Sequence, residues 1–208
     1  MRRCLLLACF AGLLCAGAAR ADGDPASDWL ITKQAFIPPD AGVPPAYSNQ
    51  LGAVLADAKA RGFEVRVAVI ASRYDLGAIP IVFHRPKQYA PFLSKEVLFA
   101  YRGRILTVMS NGYGIARNGN AVPAEQAILD RLPRPGASGP RMAAGASRAV
   151  VSLAAHAGIV IPLPPLGGST PTSSTSHDRL IIFVAVLAVA AATGVVWLLR
   201  RRSRATTA

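Results

Sequence analysis

Two short polar runs follow apolar segments in this chain and carry its best candidates for chemistry. Ser72-Arg73-Tyr74-Asp75 comes after one, and Ser110-Asn111 after the other. In layered α/β folds, ligands bind beyond the carboxyl ends of the strands. There Asp75 and Asn111 could supply oxygen ligands to a hard cation such as Ca²⁺ or Mg²⁺. Arg73 could meet an anion with its planar fork of donors. The same residue types have ordinary local roles, since Asp caps helical turns and Asn makes turns.

Other constellations are absent from the sequence. His84 lies beside Arg85, His156 at the end of a helical pattern, and His177 in a Ser/Thr-rich run. None has a metal-ligand neighbour at i+3 or i+4. Gly112-Tyr113-Gly114 begins like a dinucleotide fingerprint, but Arg117 stands where the third glycine belongs, and a hairpin rather than a helix should follow. There is no GxxxxGK[ST] phosphate loop, no GxSxG elbow and no DxDxD-type run.

The net charge of +12 invites a nucleic-acid reading, but its distribution points elsewhere. Arg2, Arg3 and Arg20 flank one hydrophobic stretch, and Arg200, Arg201, Arg202 and Arg204 follow another. Without these seven, 16 basic residues face 11 acidic ones between Asp22 and Arg179, a net charge of +5. The excess follows the positive-inside rule. No basic stripe with aromatic interleaving is evident, so nucleic acid is not the expected partner.

The ends read as targeting segments. Residues 1–21 resemble a signal peptide, with Arg2 and Arg3 leading, Leu5 to Gly17 apolar, and Ala19-Arg20-Ala21 before the cleavage point. Cys4, Cys9 and Cys15 all fall there, so the mature chain would hold no thiol or disulfide. Leu180 to Leu199 is twenty residues without a charge, which as a helix spans about 30 Å, the thickness of a bilayer core. A transmembrane helix is expected over residues 179–199, with Trp197 as interfacial anchor and residues 200–208 as a basic cytoplasmic tail. Residues 162–178, rich in Pro, Gly, Ser and Thr, read as a linker. The expected protein is therefore a single-pass type I cell-membrane protein, its domain of residues 22–161 outside the cytoplasm.

That domain reads as α/β. A strand is expected in Trp29–Phe36, ended by Pro38-Pro39. Tyr47, Leu51, Val54, Leu55 and Ala58 recur at helical spacing, with Ser48 as cap and Gly62 as stop. Glu64–Ser72 is a strand apolar on both faces, and Asp75–Phe83 a short helical turn. Gln88–Tyr101 has a helical stripe, provided Pro91 lies in its first turn. Ile105–Met109 is a strand, Asn111-Gly112 a type I′ turn, and Tyr113–Arg117 the antiparallel return. Two helices follow, one from Pro123 and one over Met142–Ala157. This order argues a mixed sheet with helices on both faces.

Glu64-Val65-Arg66-Val67-Ala68-Val69-Ile70 after a helix, then Gln88-Tyr89-Ala90-Pro91-Phe92-Leu93 and Ile105-Leu106-Thr107-Val108-Met109-Ser110-Asn111-Gly112-Tyr113-Gly114, together resemble the TPM-domain family, over roughly residues 25–130. The likeness is to small bacterial members with a signal peptide and a C-terminal span. It implies a Rossmann-like αβα sandwich with a small mixed sheet in the cell envelope. It also implies roles described for relatives: acid phosphatase activity, calcium binding, assembly. The first expectation is a membrane-tethered interaction or assembly module whose partners are other envelope proteins, with no evident catalytic site. The alternative is a metal-assisted phosphatase-like enzyme using Ca or Mg near Asp75. A third reading has Arg73 and Arg117 sensing an anionic ligand.

Overall fold

A computed structural model of the chain describes residues 23–166. The expected signal peptide, transmembrane helix and basic tail, and the linker beyond Leu166, lie outside the described residues. Among the described residues, no helix is long and apolar enough to cross a membrane.

The protein is a mixed α/β fold built on a five-stranded sheet. The strands are β1 (Ala35–Phe36), β2 (Val65–Ile70), β3 (Arg104–Met109), β4 (Gly112–Arg117) and β5 (Asn120–Ala121). They lie side by side in sequence order. β1, β2 and β3 are parallel, and β4 and β5 turn back antiparallel. The helices are α1 (Pro25–Leu30), α2 (Pro45–Ala60), α3 (Pro86–Glu96), α4 (Pro123–Leu129) and α5 (Gly139–His156). Single 3₁₀ turns occupy Pro39–Ala41, Arg73–Leu76 and Pro80–Val82.

Alternation along the strands divides the core in two. Val65, Val67 and Val69 of β2 join Leu106 and Val108 of β3, Tyr113 and Ile115 of β4, and the buried sides of α2, α4 and α5. Ala68 and Ile70 of β2 join Ile105 and Met109 of β3 against α1 and α3. Covered on both faces, β2 and β3 are apolar at almost every position, as the sequence suggested. Five of the six residues in each strand are buried.

α3 crosses the sheet at unusually close range. Thr107 Oγ1 donates to Pro86 O at 2.9 Å from the floor of the sheet. Its cross-strand partner is Gly114. A Cβ on Gly114 would lie 1.9 Å from that same Pro86 O. A small residue beside a hydroxyl lets the first turn of α3 rest on β3 and β4.

Several local expectations need correction. The segment expected as a strand over Trp29–Phe36 starts inside α1, and only Ala35–Phe36 is extended. Asp24 accepts from Ala26 N at 3.0 Å and Pro25 occupies the first helical position. That is a strong helix start, and it outweighs the loose alternation after it. Ser48 is not a cap, because Pro45 begins α2 and Ser48 Oγ donates back to Pro45 O. α3 begins at Pro86, so Pro91 lies inside it and removes one hydrogen bond rather than occupying the first turn.

The antiparallel return after β3 is present, but its turn is one residue earlier than expected. Met109 pairs with Gly112, which leaves Ser110-Asn111 as the loop. Neither loop residue has the positive φ that a type I′ turn requires. The Asn-Gly turn of that kind lies farther on. Asn118 (φ 52°) and Gly119 (φ 77°) join β4 to β5. Register explains the choice: sliding β4 by one residue would exchange Tyr113 and Ile115 for their neighbours across the sheet and unmake the core.

Candidate functional site

The carboxyl ends of β2 and β3 are the expected location of a ligand, and each expected residue can be placed there. Asp75 is 6% exposed. Its Oδ2 accepts from Ala71 N at 2.7 Å and Ser72 N at 2.8 Å, where the chain leaves β2 for the 3₁₀ turn. The carboxylate thus tethers its own loop. Arg73, in the same turn, is exposed. Asn111 points the other way. Its Nδ2 donates to His84 O at 2.6 Å, tying the β3–β4 turn to the segment before α3.

Asn111 lines a cleft of about 440 Å³ between the start of α3, the β3–β4 turn and the end of α4. Asp75 and Arg73 are not among its lining residues. The walls carry His84, Arg85, Lys87, Gln88, Asp130 and Arg134, with Tyr113 and Leu129 supplying apolar area. His84 adopts a left-handed backbone (φ 62°), unusual for a residue with a side chain. Its ring packs on Phe83 at 4.0 Å, and its Nδ1 lies 3.3 Å from Ser110 Oγ. The Asn111 bond to the His84 carbonyl helps to hold this conformation.

The cleft is cationic on balance. Lys87 Nζ meets Asp130 Oδ2 at 2.8 Å. That hydrogen bond, joined by one from Gln126, holds the Asp130 carboxyl below its usual range. Both partners are half exposed, so the pair positions side chains more than it stabilises the fold. Gln126 also brackets β4, its Nε2 donating to Tyr113 O and its Oε1 accepting from Ile115 N. α4 is thereby fixed to the sheet, and Asp130 with it. With Asp130 answered by Lys87, Arg85 and Arg134 remain as exposed donors. Burial raises the Tyr113 phenol above its ordinary pKa, and the Arg148 guanidinium beside it partly offsets this. The Tyr113 hydroxyl donates to Pro133 O at 3.0 Å and so fixes the loop that carries Arg134.

Such a wall offers hydrogen-bond donors and positive charge to an anionic group. Among the described residues, no three His, Cys, Asp or Glu side chains stand close enough to share a metal ion. Arg73 and Arg117, paired in one sequence reading, are far apart in the topology. Arg73 follows the carboxyl end of β2, whereas Arg117 pairs with Arg104 at the opposite end of the sheet.

Sequence reasoning missed Lys87, Asp130 and Arg134 as neighbours. Forty-three residues separate Lys87 from Asp130, and no motif marks them. No family model, curated protein or solved structure matches the chain.

Proposed function

We propose that this chain is a membrane-tethered, extracytoplasmic interaction or assembly module of the cell envelope, a small member of the TPM-domain type with a Rossmann-like αβα domain. Its anchor is the uncharged stretch Leu180–Leu199 stopped by Arg200–Arg202, with a signal peptide in residues 1–21. The single observation behind the interaction role is the cleft beyond β3. Besides the Tyr113 phenol, its ionisable groups are His84, Arg85, Lys87, Arg134 and one carboxylate, Asp130, already joined to Lys87. That wall suits an acidic segment of another envelope protein, held by charge-assisted hydrogen bonds.

The test uses the full chain in membranes. A photo-crosslinking residue placed at Gln88, in the cleft, should capture one discrete partner. The same residue at Lys33, outside the cleft, should not. Arg85→Glu with Arg134→Glu should abolish the capture, because reversed charge repels an acidic partner. Equal capture from both positions, or capture indifferent to the charge reversal, would sink the proposal. So would phosphatase turnover by the purified chain that disappears in Asp75→Ala. Protease added to intact cells should cleave the domain, and protection until lysis would invert the topology.

A further inference from the structure

A second cleft, of about 490 Å³, adjoins the first through Arg134. Arg134, Arg141 and Arg148 line it together with Tyr47 and Leu166. Arg141 and Arg148 stand two turns apart on α5, hence on one face. Arg134 reaches in from the loop before that helix. All three are exposed. Among the described residues, none of them forms an ion pair and no Asp or Glu lines the cleft. Three planar guanidinium forks over one concavity match the geometry of phosphate oxygens.

Where the chain leaves the domain decides which phosphates are near. After α5 it packs Ile161 into the core. Gln50 Nε2 then donates to Pro164 O, and Leu166 lies in the arginine cleft. Only thirteen residues, Gly167 to Arg179, separate Leu166 from the uncharged stretch that begins at Leu180. Even fully extended, a linker of thirteen residues reaches at most about 45 Å. It confines the cleft to the neighbourhood of a lipid surface at high effective concentration, so weak individual contacts suffice.

We infer that the Arg134, Arg141 and Arg148 cleft binds the phosphate groups of anionic phospholipids in the membrane that carries the chain. The inference rests on the membrane-tethered reading above. It adds a second contact with the bilayer, made by the folded domain beside the cleft proposed for a partner and sharing Arg134 with it. Docked this way, α5 faces the headgroups, and the contact limits how the domain can turn on its tether. Each arginine near an anionic surface contributes roughly fivefold in affinity, so the three together act strongly but reversibly.

The test is residue-resolved modification of arginines by phenylglyoxal, a membrane-permeant reagent, read by peptide mass spectrometry. The full chain is reconstituted in vesicles of phosphatidylcholine alone, or with about one-third phosphatidylglycerol. With the anionic lipid, Arg134, Arg141 and Arg148 should react about tenfold more slowly, and high salt should reverse the effect. Arg73 and Arg117, exposed elsewhere, should react equally in both vesicles. Uniform slowing of all arginines, or no slowing of the three, overturns the headgroup site. Protection in phosphatidylcholine vesicles by inorganic phosphate alone assigns the cleft to a free anion and overturns it too. A chain that floats with neither vesicle overturns the anchoring itself, a failure distinct from flotation with unprotected arginines.

Discussion

The close approach of α3 to β4 makes Gly114→Ala a sharp probe of what holds the first cleft. The added methyl would sit 1.9 Å from Pro86 O and 2.8 Å from Lys87 N. Both are backbone atoms, so no rotamer change relieves the overlap. The first turn of α3 must retreat by roughly 1.5 Å to restore ordinary van der Waals separation. Overpacking of this kind costs about 1–3 kcal/mol. The retreat also stretches the buried bond from Thr107 Oγ1 to Pro86 O, worth about 1 kcal/mol. A total near 3 kcal/mol corresponds to a fall in Tm of about 10 °C for a domain of this size. Thermal melts of the full chain in mild detergent, followed by circular dichroism, give the number. Gly52→Ala is the control. Gly52 lies within α2, and nothing stands within 4 Å of a Cβ there. Alanine should stabilise that helix by up to about 1 kcal/mol and raise Tm by a few degrees. If Gly114→Ala melts within about 2 °C of the parent, the packing of α3 described above is wrong.

Three further outcomes follow from individual contacts. Asp75→Asn removes a carboxylate that accepts two backbone N–H groups, so it should cost about 1–2 kcal/mol in denaturant titration, while Arg73→Ala, exposed beside it, should change stability by less than about 0.5 kcal/mol. Asp24 is buried, and that burial raises its pKa above the ordinary 3.8 despite hydrogen bonds from Tyr89 and the backbone. The folded state therefore holds a proton that the unfolded chain has lost, and stability should decline as pH rises from about 3.8 through the raised value; Asp24→Asn should flatten that decline in melts recorded across the window. Gly119→Ala forces a side chain into a left-handed turn (φ 77°) with its Cβ 2.8 Å from Lys95 Cγ, and should cost about 1–2 kcal/mol by the same titration.

The elements of the fold were legible where local signals agree with packing. Val65–Ile70 and Arg104–Met109 are apolar on both faces because both faces are covered, and that shows in a single sequence. α2 was visible in its 3.6-residue stripe, and a helix expected over Met142–Ala157 is α5. Reading failed where two local signals compete. Asn111-Gly112 and Asn118-Gly119 are equally good turn dipeptides, yet only the second adopts the type I′ conformation. Trp29 looked like the start of a strand because its helix begins earlier, at the Asp24 cap. Arg141 shares a helical face with Arg148 only because α5 starts at Gly139, before the expected Met142, and that Arg134 and Leu166 complete their cleft was not legible either.

Hydrophobic period and turn chemistry act within a few residues, so the sequence by itself marked β2, β3, β4 and helices α2 to α5 and pointed to a mixed sheet, whereas α1, capped by Asp24, read as a strand. Tertiary structure alone decided the register of the hairpin and the company of each charged side chain. Lys87, at the start of α3, and Asp130 and Arg134, just after α4, come from two distant segments and meet only because β4 presents Tyr113 and Ile115 to one core and Gly114 to α3. That alignment is chosen by the burial of both faces at once, a condition that no short stretch of the chain contains.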